Sequence, residues 1–404
     1  MLLILAWKNI WRNKKRSMII VLAITFGLWG GLFSGAMMMG MAESMVNTAI
    51  DRNLAHIQIH HQEFSKERDI NAFIPNGAET TSELRKVQNI DAISARVLID
   101  GMAASPASSF GVNIIGINAP DEKEVTDIDE NLIDGVFFES DRKNQIIIGK
   151  KLAERLNLRL RKKVVLSFPG IDESVVYLAC RVVGIFKTES SVFDGMTVFV
   201  QQKDLFRSLG SEPLYHEIAI RTTSAGVMQS VVESAKAKYP KQKIQTWKEL
   251  APELGYMAEM MDYFTYLFVG IILFALLFGI TNTMLMSVLD RVRELGMLIA
   301  VGMKKWRVFF MILIETILLS LTGGLSGFLV GATSISYFSF NGMDFSGLAT
   351  SFESFGMSTM IYPYLPAMMY LGLTIMVIIA ANIAALMPAL KAIKLEPAVA
   401  IRSF

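Results

Sequence analysis

Few residues in this 404-residue chain are placed to make or break bonds. A phosphate-cradling loop needs the order G-x-x-x-x-G-K-[ST]. Gly149-Lys150 lacks the earlier glycine and the hydroxyl residue, and no other stretch fits. His56 and His60 sit at alternate positions with His61 opposite, and no cysteine or paired carboxylate completes a metal set. The single cysteine, Cys180, has no disulfide partner and reads as a small buried apolar side chain. There is no G-x-S-x-G elbow or other nucleophile–base arrangement. Basic residues are not interleaved with aromatics as a nucleic-acid face requires. The expectation is a chain with no catalytic, metal or cofactor-binding residues of its own and no nucleic-acid partner. The polar residues that stand out lie in apolar runs: Glu315, Asn282 and Asn382. An ionisable residue in a span is a functional candidate. Lys304 or Arg307 is also near enough to pair with Glu315, and both asparagines suit hydrogen bonds between helices.

The elements that carry these residues are long. Met18–Met41, Phe264–Leu289, Val308–Phe340 and Leu365–Leu386 are apolar, with Glu315 the one charge inside them. Each exceeds the roughly 20 residues a helix needs to cross a hydrocarbon core of about 30 Å. Residues 42–262 are mostly polar and numerous enough to bury a core of their own, or two small ones. The expected fold is an α-helical membrane protein with four transmembrane helices plus an inserted extracytoplasmic α/β (α+β) domain between helices one and two. The parts are an amphipathic elbow at 1–17, helices at 18–41, 264–289, 308–340 and 365–386, and the α/β domain at 42–262. A cytoplasmic segment at 290–307, an external loop at 341–364 and a cytoplasmic tail at 387–404 complete it.

Charge orients these spans. Residues 1–17 hold five Lys/Arg and no acid, whereas 42–262 hold 26 Lys/Arg against 31 Asp/Glu. Arg291, Arg293, Lys304, Lys305 and Arg307 fill the link between helices two and three, and 341–364 has no Lys or Arg. Short basic segments stay in the cytoplasm. Both termini and the 290–307 link are therefore inside and the α/β domain outside. The first apolar run is longer than a signal-peptide core.

Within 2–16, Trp7 and Trp11 share a helical face, with Leu3, Ile4 and Ile10 nearby and Lys8, Arg12 and Lys15 elsewhere. This is an interfacial elbow or a plain topology anchor. In the insert, alternation marks a half-buried strand at His56–His61 and further strands at Ala95–Ile99, Val112–Ile117, Gln145–Ile148, Lys163–Phe168, Val175–Phe186, Met196–Val200 and Glu217–Arg221. Helices are expected at Glu83–Val87, Lys150–Leu156, Gln202–Leu209 and Ala225–Lys238. Helix one extends outward through Glu43–Leu54, and the chain is helical without a break from Trp247 into helix two. Two stiff rods then join the domain to the membrane. Met37–Met41 would line the outer end of helix one.

Residues 281–331 contain Asp290-Arg291, Arg293-Glu294-Leu295-Gly296 and Ala300-Val301-Gly302, then Glu315 and Gly323, Gly324, Gly327 and Gly331. Gly296 loosens the helix, and 295–301 is an apolar turn too short to span. It lies in the lipid interface or docks a cytoplasmic partner. The order and spacing resemble the FtsX-type permease domain of ABC transporters, with Asp290 where glutamate is common. The ending Pro388-Ala389, Lys391-Ala392, Glu396-Pro397-Ala398 and Ile401-Arg402 is similar too. Gln145–Leu156, Val182–Thr188 with Phe193-Asp194, and Thr246–Leu250 resemble the periplasmic core of lipoprotein-releasing (Lol) permeases and their macrolide-exporter (MacB) relatives. The start, Trp7–Lys14, departs from the Lol branch.

The resemblance implies an ATPase-coupling element made here by Arg291, Arg293, Glu294, Gly296, Met297, Leu298, Ala300, Gly302 and Met303. It implies a separate ABC ATPase subunit that binds ATP and magnesium, a second permease copy or paralogue, and contact with membrane lipids. A lipoprotein substrate handed to a periplasmic acceptor protein is the cargo it favours. A MacB-like mechanotransmission exporter and an FtsX-like regulator of a cell-wall hydrolase are the alternatives.

Overall fold

The computed structural model describes residues 2–12, 14–64, 69–138 and 142–393. The ending from Lys394, with Glu396-Pro397-Ala398 and Ile401-Arg402, lies outside them. The chain divides into two compact units. One comprises Met1–Glu43, Ala258–Asp344 and Met360–Phe404, and the other Ser44–Met257 and Phe345–Thr359.

The first unit is helical. Its helices are α1 (Leu2–Arg12), α2 (Lys14–Ala49), α3 (Pro252–Asp290), α4 (Val292–Ala300), α5 (Lys305–Asn341) and α6 (Ala367–Ile393), and Met343–Asp344 pairs with Met360–Ile361 in a short ribbon. α2 and α3 also carry residues of the second unit. Four of the helices, α2, α3, α5 and α6, are long and apolar enough to cross a membrane. Each runs past its apolar stretch, because a helix in lipid must satisfy every backbone group internally and polar turns continue it at low cost.

α2 packs on α5 by close approach. A Cβ on Gly323 would stand 2.8 Å from Ile24 Cβ, and one on Gly327 would stand 2.9 Å from the Thr25 carbonyl oxygen. Thr25 Oγ1 donates to the Gly323 carbonyl at 3.3 Å, and Trp29 Nε1 donates to Ser334 Oγ at 3.0 Å. Without a hydrophobic drive between helices in lipid, small residues and such hydrogen bonds hold the pair together.

The second unit is built on a mixed ten-stranded sheet. Its strands are β1 (Ile57–His61), β2 (Ile90–Ala104), β3 (Ser109–Ile117), β4 (Leu132–Gly135), β5 (Gln145–Gly149), β6 (Lys163–Pro169), β7 (Val175–Phe186), β8 (Thr197–Gln201), β9 (Glu217–Thr222) and β10 (Gln242–Thr246). The order is β10-β1-β9-β2-β3-β8-β5-β7-β4, and β6 pairs with β2 and β7. β3–β8 and β5–β7 are parallel. The long β2 bridges two halves: Ile90–Arg96 pairs with β9, and Val97–Ala104 pairs with β3. Each half has its own core, one around Ile57, Ile93, Ile218 and Val232 and the other around Val97, Ile114, Ile148 and Val182. Cys180 is buried in the latter, and burial pushes its thiol up to about 12.

Several boundaries move from their expected places. β1 is buried on both faces: Ile57 and Ile59 lie in the apolar core, and Gln58 and His60 on the other face are buried in a polar cluster with Glu217. β4, β10 and the helices Ala119–Val125 and Ser191–Met196 add to the expected set, and the helix expected at Glu83–Val87 is Gly77–Leu84. The elbow helix ends at Arg12, residues 14–17 open α2, and Ile10 packs inward, away from the tryptophans. The run from Trp247 is interrupted. Thr246 and Glu249 form a capping box over Trp247–Leu250, and Ala251 leaves the helical region (φ −126°, ψ 70°) before Pro252. A proline ring disfavours the α conformation in the residue before it. Past Ala49 the outward extension of α2 becomes a π turn over Ile50–Leu54.

Candidate coupling site

The break between α3 and α4 falls at Arg291 (φ −106°, ψ 13°), five residues before Gly296, which is buried within α4. The Arg291 side chain explains the turn. It is buried, with Nη1 3.3 Å from Glu315 Oε1, and Nη2 donates to the Asn9 carbonyl at 3.3 Å. The partner of Glu315 is thus Arg291, rather than Lys304 or Arg307 as expected. Breaking such a buried pair from one side is costly, so the pair pins α4 to α5 and α1.

Two more ion pairs clamp the same corner: Arg12 with Glu294, and Arg16 with Asp290. Leu295 is buried, and Leu298 and Met303 are half-buried against the helical core. The residues left facing out are Arg293, Met297, Ala300, Val301 and Gly302. Arg293, Met297, Ala300 and Val301 recur at helical spacing, so α4 presents one continuous face. Met297 is 53% exposed and Val301 88%. Gly302 closes the turn in the left-handed region at φ +101°. The expected coupling residues therefore split: Arg293, Met297, Ala300 and Gly302 face outward, Arg291, Gly296, Leu298 and Met303 anchor the element, and Glu294 is exposed but paired.

The polar residues of the spans also divide. Asn382 Nδ2 reaches Ser320 Oγ at 3.3 Å, joining α6 to α5, whereas Asn282 is exposed. The α3–α6 link falls to its neighbour, Thr281 Oγ1 donating to the Ala384 carbonyl at 3.1 Å. Val301 was read only as part of the motif, and the clamp arginines Arg12 and Arg16 were not expected at this site. Their acidic partners lie hundreds of residues away, and no local pattern marks them.

The MacB-like periplasmic core domain family matches residues 17–238, more than half of the chain, and the FtsX-like permease C-terminal family matches residues 266–397. The chain belongs to the MacB/FtsX family of ABC transporter permeases. Members of this family work with ABC ATPase partners. The permease is 24% identical to the uncharacterized ABC transporter permease YvrN of Bacillus subtilis over 98% of each chain. It is 23% identical to the lipoprotein-releasing system transmembrane protein LolC of Buchnera aphidicola over 80% of each. A shorter stretch, 22% of the permease and 15% of the relative, is 37% identical to the macrolide export protein MacB of Pasteurella multocida. Among solved structures, the extracellular domain of the transporter YknZ from Gram-positive bacteria is 19% identical. It covers 47% of the permease and 99% of that domain, with a TM-score of 0.35.

Proposed function

We propose that this permease is the non-catalytic membrane subunit of a transporter in the bacterial cytoplasmic membrane, and that separate ATPase subunits dock on the outward face of α4. Both termini and α4 lie in the cytoplasm, and the α/β unit lies outside. The observation that carries the reading is the contrast within α4. One side is locked by Arg291–Glu315 and Arg12–Glu294, while Met297 and Val301 on the other stand exposed. A rigid anchor beside an exposed apolar face is what a force-receiving contact requires. ATP-driven closure of two ATPases would push on this face in a pair of permeases.

The cargo we favour is an acylated lipoprotein drawn from the membrane and passed to a periplasmic acceptor. Support comes from the likeness to LolC, which extends over four-fifths of both chains. Extraction costs about 0.8 kcal/mol for each acyl CH₂ removed from lipid, which is the kind of work that needs ATP. A macrolide-type exporter is the second reading, favoured by the higher identity over the short MacB stretch.

Met297→Asp and Val301→Asp test the docking. These positions are exposed, so folding should survive, while ATPase co-purification should fall at least about tenfold, the equivalent of about 1.4 kcal/mol. Unchanged co-purification and unchanged cargo-stimulated turnover would sink the docking face. Release of a triacylated lipoprotein from proteoliposomes, set against efflux of a macrolide, decides the cargo.

A further inference from the structure

The elbow helix has two unlike exposed sides. Leu5, Ala6 and Ile10 pack into the helical core, and Asn9 Nδ2 lies 4.0 Å from Met311 Sδ, so α1 rests on the first turns of α5. Leu3, Ile4, Trp7 and Trp11 fall together on the opposite side and are all exposed, the two tryptophans edge to face at 6.0 Å. Trp306 and Phe310 add exposed aromatic surface at the start of α5.

The charges around this apolar stripe are unbalanced. The acids of 1–17 and 290–307 are Asp290 and Glu294, and both are consumed by Arg16 and Arg12. Lys8, Lys14, Lys15, Lys304, Lys305 and Arg307 are exposed and form no ion pair among the described residues. Lys14 Nζ stands 5.8 Å from the Trp11 ring. A protein-docking surface would bury its aromatics behind a mixed-charge rim. Indole rings beside unopposed ammonium groups match the headgroup layer, where the rings sit among acyl chains and the cations meet phosphate.

We propose that α1 and the first turn of α5 form a binding face for anionic phospholipid, with the lysines and Arg307 holding headgroup phosphates beside Trp7 and Trp11. The face concentrates such lipid next to the clamp that holds α4. This depends on the membrane reading of the helices and not on the ATPase-docking or cargo readings.

The test is the electron-spin-resonance spectrum of spin-labelled phosphatidylglycerol and phosphatidylcholine around the full chain in mixed vesicles. The expected preference for phosphatidylglycerol is about threefold or more, collapsing toward unity in molar salt, where screening shortens to a few ångströms. Lys8→Gln/Lys14→Gln/Lys15→Gln should lose most of it, and the same positions changed to Arg should keep it. Lys162→Gln/Lys163→Gln, in the α/β unit, should leave it unchanged. A wild-type chain with no preference, or a preference that molar salt or the triple Gln variant does not reduce, would overturn the proposal. The wild-type salt series stands even if a variant fails to insert.

Discussion

Arg96 is fully buried, and its guanidinium is held by two carboxylates and a backbone carbonyl. Nε and Nη2 donate to Glu122 at 3.0 and 2.7 Å, and Nη1 donates to Glu217 at 2.6 Å and to the Asn53 carbonyl at 2.7 Å. Glu217 also faces His60 Nε2 at 3.5 Å. Despite desolvation, the two carboxylates drive the Arg96 pKa upward. Arg96→Met strands both carboxylates, and the expected cost is about 3–5 kcal/mol, read as a lowered thermal midpoint of the full chain. Adding Glu122→Gln and Glu217→Gln to that variant should recover part of the loss, because no uncompensated charge then remains buried. Asp194 makes the pH-dependent counterpart. Burial raises its carboxyl to about 6, against hydrogen bonds from Thr188 N–H and Oγ1 at 3.0 and 2.7 Å that favour the ionised form. The folded chain binds this proton more tightly than the unfolded one. Its contribution is therefore complete below about pH 4 and is lost as pH rises through about 6. Asp194→Asn should remove that slope from a pH series of melting temperatures. A slope unchanged from wild type would reassign it.

At the scale of elements, helix contact and helix interruption do the work. α2 and α5 meet where Gly323 and Gly327 leave no room for a Cβ. Gly327→Leu forces the pair apart, and the expected destabilisation is about 1–3 kcal/mol, the range for overpacking. Melting of the full chain in detergent measures it, and Gly279→Leu, where a Cβ meets nothing within 4 Å, is the control. The interruptions at Arg291 and Ala251 have different causes. The first is tertiary, since Arg291 turns inward to Glu315. The second is local, since Pro252 follows a capped single turn. Proline and a Thr–Glu capping box are visible in a sequence, so the Ala251 break had a local signal, which the expectation of an unbroken helix overlooked. The Arg291 break was not, because Gly296 is the weaker helix former by composition yet lies buried mid-helix.

At the scale of the molecule, residues Phe345–Thr359, between α5 and α6, group with the α/β unit. Lys187 Nζ donates to Glu353 Oε1 at 2.7 Å, and within the same unit the π turn places Arg52 5.3 Å from the Phe193 ring. The segment 187–194 therefore receives both the continuation of α2 and the α5–α6 connection. A half-exposed ion pair is worth little in stability, about 0–1 kcal/mol. Lys187→Glu should accordingly leave the melting temperature nearly unchanged; on the coupling function proposed above it should also lower cargo-stimulated ATP turnover of the complex, and Lys187→Glu/Glu353→Lys should restore it. Equal turnover in all three proteins would remove this connection from the proposed coupling.

Four apolar stretches, the polar insert between the first two and the FtsX-like motif could be read directly from the chain. Hydropathy over 20 residues and alternation over five are local properties, and lipid or a sheet face selects for them directly. Most strands of the insert were legible for the same reason, and Gln202–Leu209 has its expected bounds. Tertiary structure alone decided which side of α4 is exposed, which arginine neutralises Glu315, and that β1 is covered on both faces. It also decided that residues 345–359 join the α/β unit. Each of these depends on partners far apart in the chain. Arg291 and Glu315 are 24 residues apart, Arg12 and Glu294 are 282, and Lys187 and Glu353 are 166. No window of sequence contains both members of such a pair together with the packing that orients them.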